Sequence, residues 1–463
     1  MTSKTRRVAS LLSIVLAGGW LAIGCAAKAE TPPWPPADLA ARLKAEPKTD
    51  IDKKIKAAIV KHEGLIAKLD AAKPAVRATL GRLRDRLRPL YLEYNRDKKR
   101  YRRDFFPPAM CLSRFESDMK YLLGALAAGK DPFASSAGRW QTRTCWVEKV
   151  DVMGHFDLIV PAAYDPKKSW PLIISFQDDP DFKQLRKTPY FLIRCIQQGY
   201  PTGMTYVENK TRTYLKDVAR DYHIDPHRIY ATGFSYGGHT DLVIAWRYPH
   251  WFAAIAPVCN DLRDKTTPFV KQLKNVPTLL LHGQNDSFLN TGKVIHKYMT
   301  EAGCPVTWRT YPGGHAPTLP FRKDVTVLTK FFDQHIMDPN PKTVSHVIEH
   351  KRYSRAFWVN GKMTKDSGGM SAIFEVRVVK GNRIEIDAND QVASLELDLN
   401  DKLVDMSKPV TVVSGGKTLY QGKAASPLTV KLRDGPAYDD RGGDRLWRDI
   451  LDIQKTAAYA KAK

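Results

Sequence analysis

The chain of 463 residues is 43% hydrophobic and 10% aromatic, which excludes a disordered protein and provides enough apolar surface for more than one packed region. Its formal net charge of +24 suits anionic partners, but the sequence contains no nucleic-acid recognition motif. The 12 histidines and 6 cysteines show no paired metal-ligand spacing, so we predict no metal and no other cofactor.

Residues 1–29 have the pattern of an export signal. A basic start at residues 4–7 precedes an apolar run at residues 8–23. That run is shorter than the roughly 18 apolar residues expected of a transmembrane helix. Cleavage after Ala29 would release a mature protein, whereas a lipobox-like pattern ending at Cys25 would leave a lipid anchor. We therefore expect an exported protein that is periplasmic, extracellular or anchored at Cys25.

Residues 30–137 are predicted to form a basic helical region. Residues 38–104 contain 20 Lys and Arg against 10 Asp and Glu. Apolar residues recur there at helical spacing, with a break or kink predicted at Pro89. They are Ile51, Ile55, Ile59, His62, Ile66 and Leu69, followed by Leu80, Leu83, Leu87, Leu90 and Tyr94. The basic surface is either the solvated face of a structural cap or a docking surface for anionic glycans or the cell envelope.

Residues 138–338 are predicted as an α/β region. A short helix at 116–128 comes before it, and strands are predicted at 140–150 and 153–161. The run at 170–176 is apolar enough for a strand buried on both faces of a sheet.

The sequence from Gly233 to Gly238, GFSYGG, contains a serine in a glycine-rich turn. An apolar run precedes it and helix-compatible residues follow, which is the strand, turn and helix order of a nucleophile elbow. Gly233 and Gly237 flank Ser235, where small residues let the strand and helix backbones approach. We therefore predict Ser235 to be a nucleophile.

Two further strand-like segments end in polar residues, Asp286 and His315. The order Ser, Asp, His along the chain matches that of α/β-hydrolase triads. We predict that Ser235 attacks, that His315 accepts its proton and that Asp286 orients and stabilises the imidazole. Asp261 and Asp264 are rival candidates for the acid, since some hydrolases carry it one strand earlier. His282 and His239 are expected to be structural, and the cysteines to be buried thiols.

From residue 164 to residue 335 the chain resembles the α/β-hydrolase superfamily. It looks closest to secreted esterases of the polyhydroxybutyrate-depolymerase and feruloyl-esterase type, and to the prolyl-oligopeptidase-like catalytic domain. The resemblance implies a Ser-His-Asp hydrolase that needs no metal. It is carried by residues 224–230 (IDPHRIY), 233–238 (GFSYGG), 248–254 (YPHWFAA), 282–286 (HGQND) and 313–315 (GGH).

The chain departs from that family after the strand at 170–176. Such esterases usually carry His-Gly there, whereas this chain has Gln177, Asp178 and Asp179. We expect the oxyanion hole to use the backbone N–H of Tyr236 and that of Gln177 or Asp178. A backbone donor does not need a particular side chain, but acidic side chains beside a developing negative charge are unfavourable.

Residues 339–463 are predicted as a β-rich domain with a terminal helix at 444–459. Short strands separated by Gly, Asn and Asp indicate a β-sandwich. They are predicted at 356–359, 372–379, 383–387, 393–399, 410–413, 419–421 and 428–432. The module would either bind carbohydrate or substrate, or shield the catalytic region.

Three functions are therefore considered. The first is ester hydrolysis through a Ser235 acyl-enzyme, with acyl or feruloyl groups on polysaccharide as the substrate class. The second is peptide hydrolysis of the prolyl-oligopeptidase kind, in which a tyrosine after the serine is common. The third is a catalytically silent binding protein that keeps the fold, which the departure at residues 177–179 motivates.

Overall fold

The computed structural model describes residues 35–96, 107–176, 187–195, 204–262, 267–316, 324–365, 369–433, 437 and 446–456. The leader at residues 1–29, with Cys25, lies outside these ranges, as do Gln177, Asp178, Asp179 and Asp264. Within the described ranges, no helix combines the length and hydropathy needed to cross a bilayer.

Helices dominate the N-terminal part. They are α1 (Ala37–Lys44), α2 (Asp50–Ala72), α3 (Arg77–Asp85), α4 (Arg88–Glu93) and α5 (Pro108–Ala127). Helix α2 begins after Thr49, whose side chain accepts a hydrogen bond from the Asp52 backbone N–H. Pro89 lies in the first turn of α4, where a missing N–H costs little, so the helical chain breaks between α3 and α4. Leu80, Leu83, Leu87, Leu90 and Tyr94, the apolar positions of the second predicted helical stretch, are all buried.

A large mixed sheet follows. Its strands are β1 (Trp140–Val147), β2 (Val152–Ile159), β3 (Trp170–Ser175), β4 (Phe191–Arg194), β5 (Ile224–Phe234), β6 (Ala254–Val258), β7 (Thr278–Gly283) and β8 (Val306–Tyr311). Their order is β1-β2-β4-β3-β5-β6-β7-β8, antiparallel at β1-β2 and β2-β4 and parallel elsewhere. The helices of this part are α6 (Met204–Asp221), α7 (Tyr236–Arg247), α8 (Leu289–Glu301) and α9 (Thr326–Phe332). The chain is thus a mixed α/β protein with a large, mostly parallel sheet.

Two smaller sheets form the C-terminal part. Their strands are β9 (Thr343–Ile348), β10 (Arg355–Ala356), β11 (Val359–Met363), β12 (Ala372–Val379), β13 (Arg383–Ala388), β14 (Val392–Leu397), β15 (Pro409–Ser414), β16 (Lys417–Lys423) and β17 (Leu428–Lys431). One sheet has the order β10-β11-β14-β17 and the other β16-β15-β13-β12-β9. Helix α10 (Leu446–Thr456) packs on α6 and donates a hydrogen bond from Gln454 to the Ile224 carbonyl.

The two faces of the large sheet belong to different apolar clusters. On β3, Leu172 and Ile174 join the cluster that contains the N-terminal helices, whereas Ile173 joins the one that contains the C-terminal sheets. Successive strand residues point to opposite faces, so a fully apolar strand such as β3 can pack on both sides. The N-terminal helices and the C-terminal sheets therefore both share packed cores with the large sheet.

Buried ion pairs join the N-terminal helices to the large sheet. Arg143 on β1 is completely buried and pairs with Asp217 at 3.1 Å and with Asp221, both on α6. Arg86 pairs with Asp118 on α5 at 2.8 Å and with Asp221. We call this group the Arg143 cluster; it comprises Arg82, Arg86, Asp118, Arg143, Asp217 and Asp221.

A second set of polar contacts joins the C-terminal sheets to α6 and α7. Arg247 at the end of α7 pairs with Glu208 at 2.7 Å and with Glu349 at 2.8 Å. Tyr353 donates a hydrogen bond to Glu208 at 2.8 Å. These contacts connect the C-terminal part to the two helices that flank β5.

Several elements differ from the sequence predictions. The predicted strand at 356–359 is interrupted, because Phe357 has a φ of 51° and separates β10 from β11. The predicted helix at 116–128 starts earlier, at Pro108, since proline is well tolerated in a first turn. Strands β4 and β9 and helix α6 were not among the predicted elements. The two strands are short, and they are fixed by pairing with strands distant in the sequence, β9 with β12 for example.

Candidate active site

Ser235 occupies a sharp turn between β5 and α7. Its φ of 57° and ψ of −116° lie in a region that non-glycine residues rarely adopt. A Cβ on Gly233 would lie 2.4 Å from the Gly237 carbonyl carbon, and a Cβ on Gly237 would lie 1.8 Å from the Phe176 oxygen. Both glycines are therefore needed for the turn to close against the end of β3. This is the local geometry of a nucleophile elbow.

The structure brings together the three side chains singled out in the sequence. The Ser235 hydroxyl oxygen lies 2.9 Å from His315 Nε2, and His315 Nδ1 lies 2.9 Å from Asp286 Oδ1. Asp286 follows β7 and His315 follows β8, so both lie at the carboxyl edge of the sheet beside the elbow. The geometry suits transfer of the Ser235 proton to His315.

A glycine contact holds the loop that carries His315. A Cβ on Gly283, at the end of β7, would lie 2.3 Å from the Gly314 oxygen. In addition, the backbone N–H of Asn285 donates to the Gly313 carbonyl at 2.9 Å. Gly283 thus allows the two loops to approach closely enough for Asp286 to reach His315, and Gly313 has a φ of 128° that favours glycine.

The Asp286 carboxylate is buried, with only 6% of the residue exposed. Burial alone would raise the pKa of Asp286, but hydrogen bonds from Cys259, from the Phe288 backbone N–H and from two histidines lower it below its usual value. The Phe288 N–H donates to Oδ1 at 2.9 Å. The acid therefore stays ionised, as it must to stabilise a charged imidazole.

The second histidine on Asp286 is His282. Its Nδ1 lies 2.9 Å from Asp286 Oδ2, and its Nε2 lies 3.1 Å from Asn260 Nδ2. The sequence predicts only that His282 packs or hydrogen-bonds at the strand end, and it predicts no role for Asn260. The signal that could have revealed this contact is the spacing of His282 and Asp286, which are four residues apart. Because β7 ends between them, the chain can turn and bring the two side chains together.

Asp261, a rival candidate for the acid, lies beside a different histidine. Its Oδ1 is 3.4 Å from His239 Nδ1, on the first turn of α7. The other rival, Asp264, lies outside the described residues, as do Gln177 and Asp178 of the expected oxyanion hole. Tyr236 is the first residue of α7 and directly follows Ser235. The Phe176 carbonyl oxygen, just after β3, lies close beside Gly237.

Two aromatic rings enclose His315. The Phe234 ring centre lies 4.8 Å from the imidazole and that of Phe288 lies 5.0 Å from it, the latter edge to face. The His315 side chain nevertheless keeps 29% of its surface exposed. The imidazole thus contacts two aromatic rings and keeps part of its surface accessible.

Among the described residues, donor atoms of Cys259, His282 and Asp286 lie within 4.8 Å of one another. His282 and Asp286 already hydrogen-bond each other, and the Cys259 sulfur lies 2.9 Å from the Tyr311 hydroxyl. Burial raises the pKa of Cys259 to about 12, so its thiol keeps its proton. We interpret the trio as a hydrogen-bonded cluster around the Asp286 carboxylate.

Comparisons with known proteins give partial matches. No protein-family model matches the chain. Over 75 residues, which are 16% of this chain and 22% of the relative, it is 32% identical to the candidate esterase NocK of Nocardia uniformis subsp. tsuyamanensis. It is similar to the solved structure of a ferulic acid esterase at 14% identity and a TM-score of 0.37, over 42% of this chain and 98% of that one. A candidate dipeptidyl aminopeptidase IV from Bacteroides ovatus has 16% identity and a TM-score of 0.36, over 42% of this chain and 36% of that one.

The chain therefore spans about a fifth of the curated relative and about a third of the peptidase. The matched proteins are esterases and a dipeptidyl aminopeptidase by name. This chain is similar to parts of them, and its function has to be argued from the geometry of its own residues.

Proposed function

We propose that the chain is a serine hydrolase of the α/β-hydrolase kind that cleaves carboxylic esters. The observation that carries this proposal is the continuous hydrogen-bonded chain from Ser235 through His315 to the ionised Asp286, with the serine on a strained elbow. The partial match to a candidate esterase also supports it. The intact chain of hydrogen bonds favours an active enzyme over a silent binding protein.

The reaction follows from these contacts. Ser235 Oγ attacks the ester carbonyl carbon while its proton moves to His315 Nε2, and Asp286 stabilises the resulting imidazolium. Collapse of the tetrahedral intermediate transfers that proton to the leaving alcohol and forms an acyl-serine. Water then loses a proton to His315, attacks the acyl carbon and releases the acid, which restores Ser235. The negative oxygen would be stabilised by the Tyr236 N–H and by that of Gln177 or Asp178.

The substrate class and the cellular setting are part of the proposal. Acyl or feruloyl esters on polysaccharide are the first substrates to test, and proline-containing peptides the second. The basic and apolar pattern of residues 4–23 supports export. Lys44, Lys54 and Lys68 on the N-terminal helices are exposed, which supports contact with anionic glycans or the envelope.

We also propose four segments: a leader at 1–29, a basic helical region at 30–137, a catalytic region at 138–338 and a β-rich region at 339–463. Side chains from both C-terminal sheets join one buried apolar cluster, which supports a β-sandwich.

The test uses a fluorophosphonate probe, which labels activated serines, followed by mass spectrometry of the labelled peptide. We expect labelling at Ser235, and turnover of aryl acetates or aryl ferulates above that of proline-containing peptides. A preference for the peptides would replace the esterase assignment with a peptidase one. Absence of labelling and of turnover on every substrate would overturn the hydrolase assignment itself.

A further inference from the structure

We propose that His282 and Asn260 are positioning residues of the active site: they hold the Asp286 carboxylate and set how strongly it stabilises charge on His315. This inference rests on the proposed function and goes beyond the Ser-His-Asp triad. Asn260 bonds to His282, and His282 bonds to Asp286. Both residues would therefore act through Asp286 rather than on the substrate.

The two oxygens of Asp286 have separate partners. Oδ1 accepts from His315 and from the Phe288 backbone N–H, each at 2.9 Å. Oδ2 accepts from His282 Nδ1 at the same distance of 2.9 Å. His282 therefore holds the carboxylate through the oxygen that His315 does not contact. It also shares the negative charge that would otherwise be available to the catalytic imidazole.

Asp286 and Asn260 together determine which nitrogen of His282 carries the proton. The ionised carboxylate can only accept, so Nδ1 donates to it, and Nε2 of the neutral ring then accepts from the Asn260 amide N–H at 3.1 Å. The His282 proton is then on Nδ1, directed at Asp286, and the ring is neutral. Burial lowers the pKa of His282 while the bond to Asp286 opposes that change, and the net effect favours this neutral form.

The fold makes a close-fitting space for the His282 ring. A Cβ on Gly292 of α8 would lie 2.3 Å from His282 Nε2, and the Trp308 ring of β8 stacks on the imidazole at 5.3 Å. The side chain is fully buried. Titratable groups that face the ring are Asp286 and His315 on their loops and Cys259 at the end of β6, with His296 of α8 beyond Trp308.

Two substitutions should shift the pH dependence in opposite directions. Without the His282 donor, the charge of Asp286 is concentrated on the His315 side and holds the protonated imidazole more firmly, so the acidic limb of kcat/KM moves to higher pH. An aspartate at position 260 would instead accept from Nε2 and favour a doubly protonated His282. The new carboxylate and the imidazolium have opposite charges, but the imidazolium lies between position 260 and Asp286 and is the nearer charge. It therefore weakens the hold of Asp286 on a charged His315, so the limb moves to lower pH.

The experiment measures kcat/KM for an aryl acetate against pH, with thermal unfolding of each protein. We expect His282→Leu to move the acidic limb up by about 0.5–1 pH unit and Asn260→Asp to move it down by a similar amount. His282→Gln keeps an N–H donor and should restore most of the wild-type limb. His296→Leu is the matched control, because His296 packs against the same Trp308 but has no bond to Asp286, and its limb should not move.

A structural role alone would lower the melting temperature and leave the limb in place, and that result overturns the inference. Shifts of the same sign in His282→Leu and Asn260→Asp also overturn it. If His282→Leu fails to fold, the near-isosteric Asn260→Asp still decides, because an unmoved limb in that variant contradicts the proposal. Failure of the proposed function looks different: wild-type turnover would then be absent or would survive Ser235→Ala.

Discussion

Asp286 and the three aspartates of the Arg143 cluster are all buried, but the groups that hold them differ. Asp286 is bound mainly by the imidazole rings of His282 and His315, and an imidazole can exist with or without a charge. Asp118, Asp217 and Asp221 face guanidinium groups, which stay charged in proteins. The first arrangement can move a proton, whereas the second can only hold elements together. A buried carboxylate therefore indicates chemistry or cohesion according to its partner.

The largest expected effect is on the chemical step. Ser235→Ala and His315→Ala should each lower kcat on an aryl ester on the order of 10⁴- to 10⁶-fold, because the two residues act as a unit. The double variant should be little worse than either single one. Steady-state kinetics measure the loss of catalysis, and unfolding curves of the same proteins measure their stability. The melting temperature should change little. Undiminished turnover by Ser235→Ala, free of contaminating esterase, would refute the assignment.

The next effect concerns the acid. Asp286→Asn should lower kcat by about 10²- to 10⁴-fold, since an amide cannot stabilise the charged imidazole and allows the wrong tautomer. Asp261→Asn is the matched control and should cost little, because Asp261 lies beside His239. The reverse ranking in kcat would transfer the role of the acid to Asp261.

The Arg143 cluster should respond in stability instead. Arg143→Met leaves Asp217 and Asp221 buried without their β1 partner, so the free energy of unfolding should fall by about 3–5 kcal/mol. Turnover per folded molecule should persist at low temperature, because within the described part of the chain no member of the cluster bonds to Ser235, His315 or Asp286. Urea unfolding and active-site titration separate the two quantities. A variant of unchanged stability with lost activity would contradict this division.

The contributions of Asp118 and Asp286 to stability should also depend on pH in opposite directions. Burial raises the pKa of Asp118 to about 6 despite the pull of Arg86, whereas the pKa of Asp286 is lowered. A raised folded-state pKa means that the folded protein binds the proton more tightly. The Asp118 contribution to stability is therefore fully present below about pH 4 and is lost as the pH rises through about 6. The Asp286 contribution has the opposite sign, present above about pH 4 and lost as the pH falls.

Urea unfolding of wild type and Asp118→Asn at several pH values tests this sign. Between about pH 4 and 6, the unfolding free energy of wild type relative to the variant should fall as pH rises, by at most about 1.4 kcal/mol per pH unit. A difference that stays flat across this range, or that grows with pH, would mean that Arg86 rather than burial controls the ionisation of Asp118.

The candidate active site and the Arg143 cluster also differ in how far they could be predicted from the sequence. The elbow and its partners could be read from local patterns, since glycines at fixed offsets surround Ser235, and Asp286 and His315 each end a strand-like segment. The Arg143 cluster could not, because its residues extend from position 82 to position 221 and meet only through tertiary packing. The same holds for His282 and Asn260, whose pairing depends on the space left by Gly292.

The smallest expected effect is at an exposed ion pair that joins the same two parts of the chain as the Arg143 cluster. Arg88 at the start of α4 lies 3.7 Å from Glu148 just after β1, and their side chains are 52% and 76% exposed. Water solvates both charges in the folded and unfolded states, and holding two long side chains in one geometry costs entropy. Glu148→Gln should therefore change the unfolding free energy by less than about 0.5 kcal/mol. Burial, rather than the number of ion pairs, would then account for the cohesion between these helices and the sheet. A loss comparable to that of Arg143→Met, measured under the same urea conditions, would contradict that explanation, because the exposed pair would then contribute as much as the buried one.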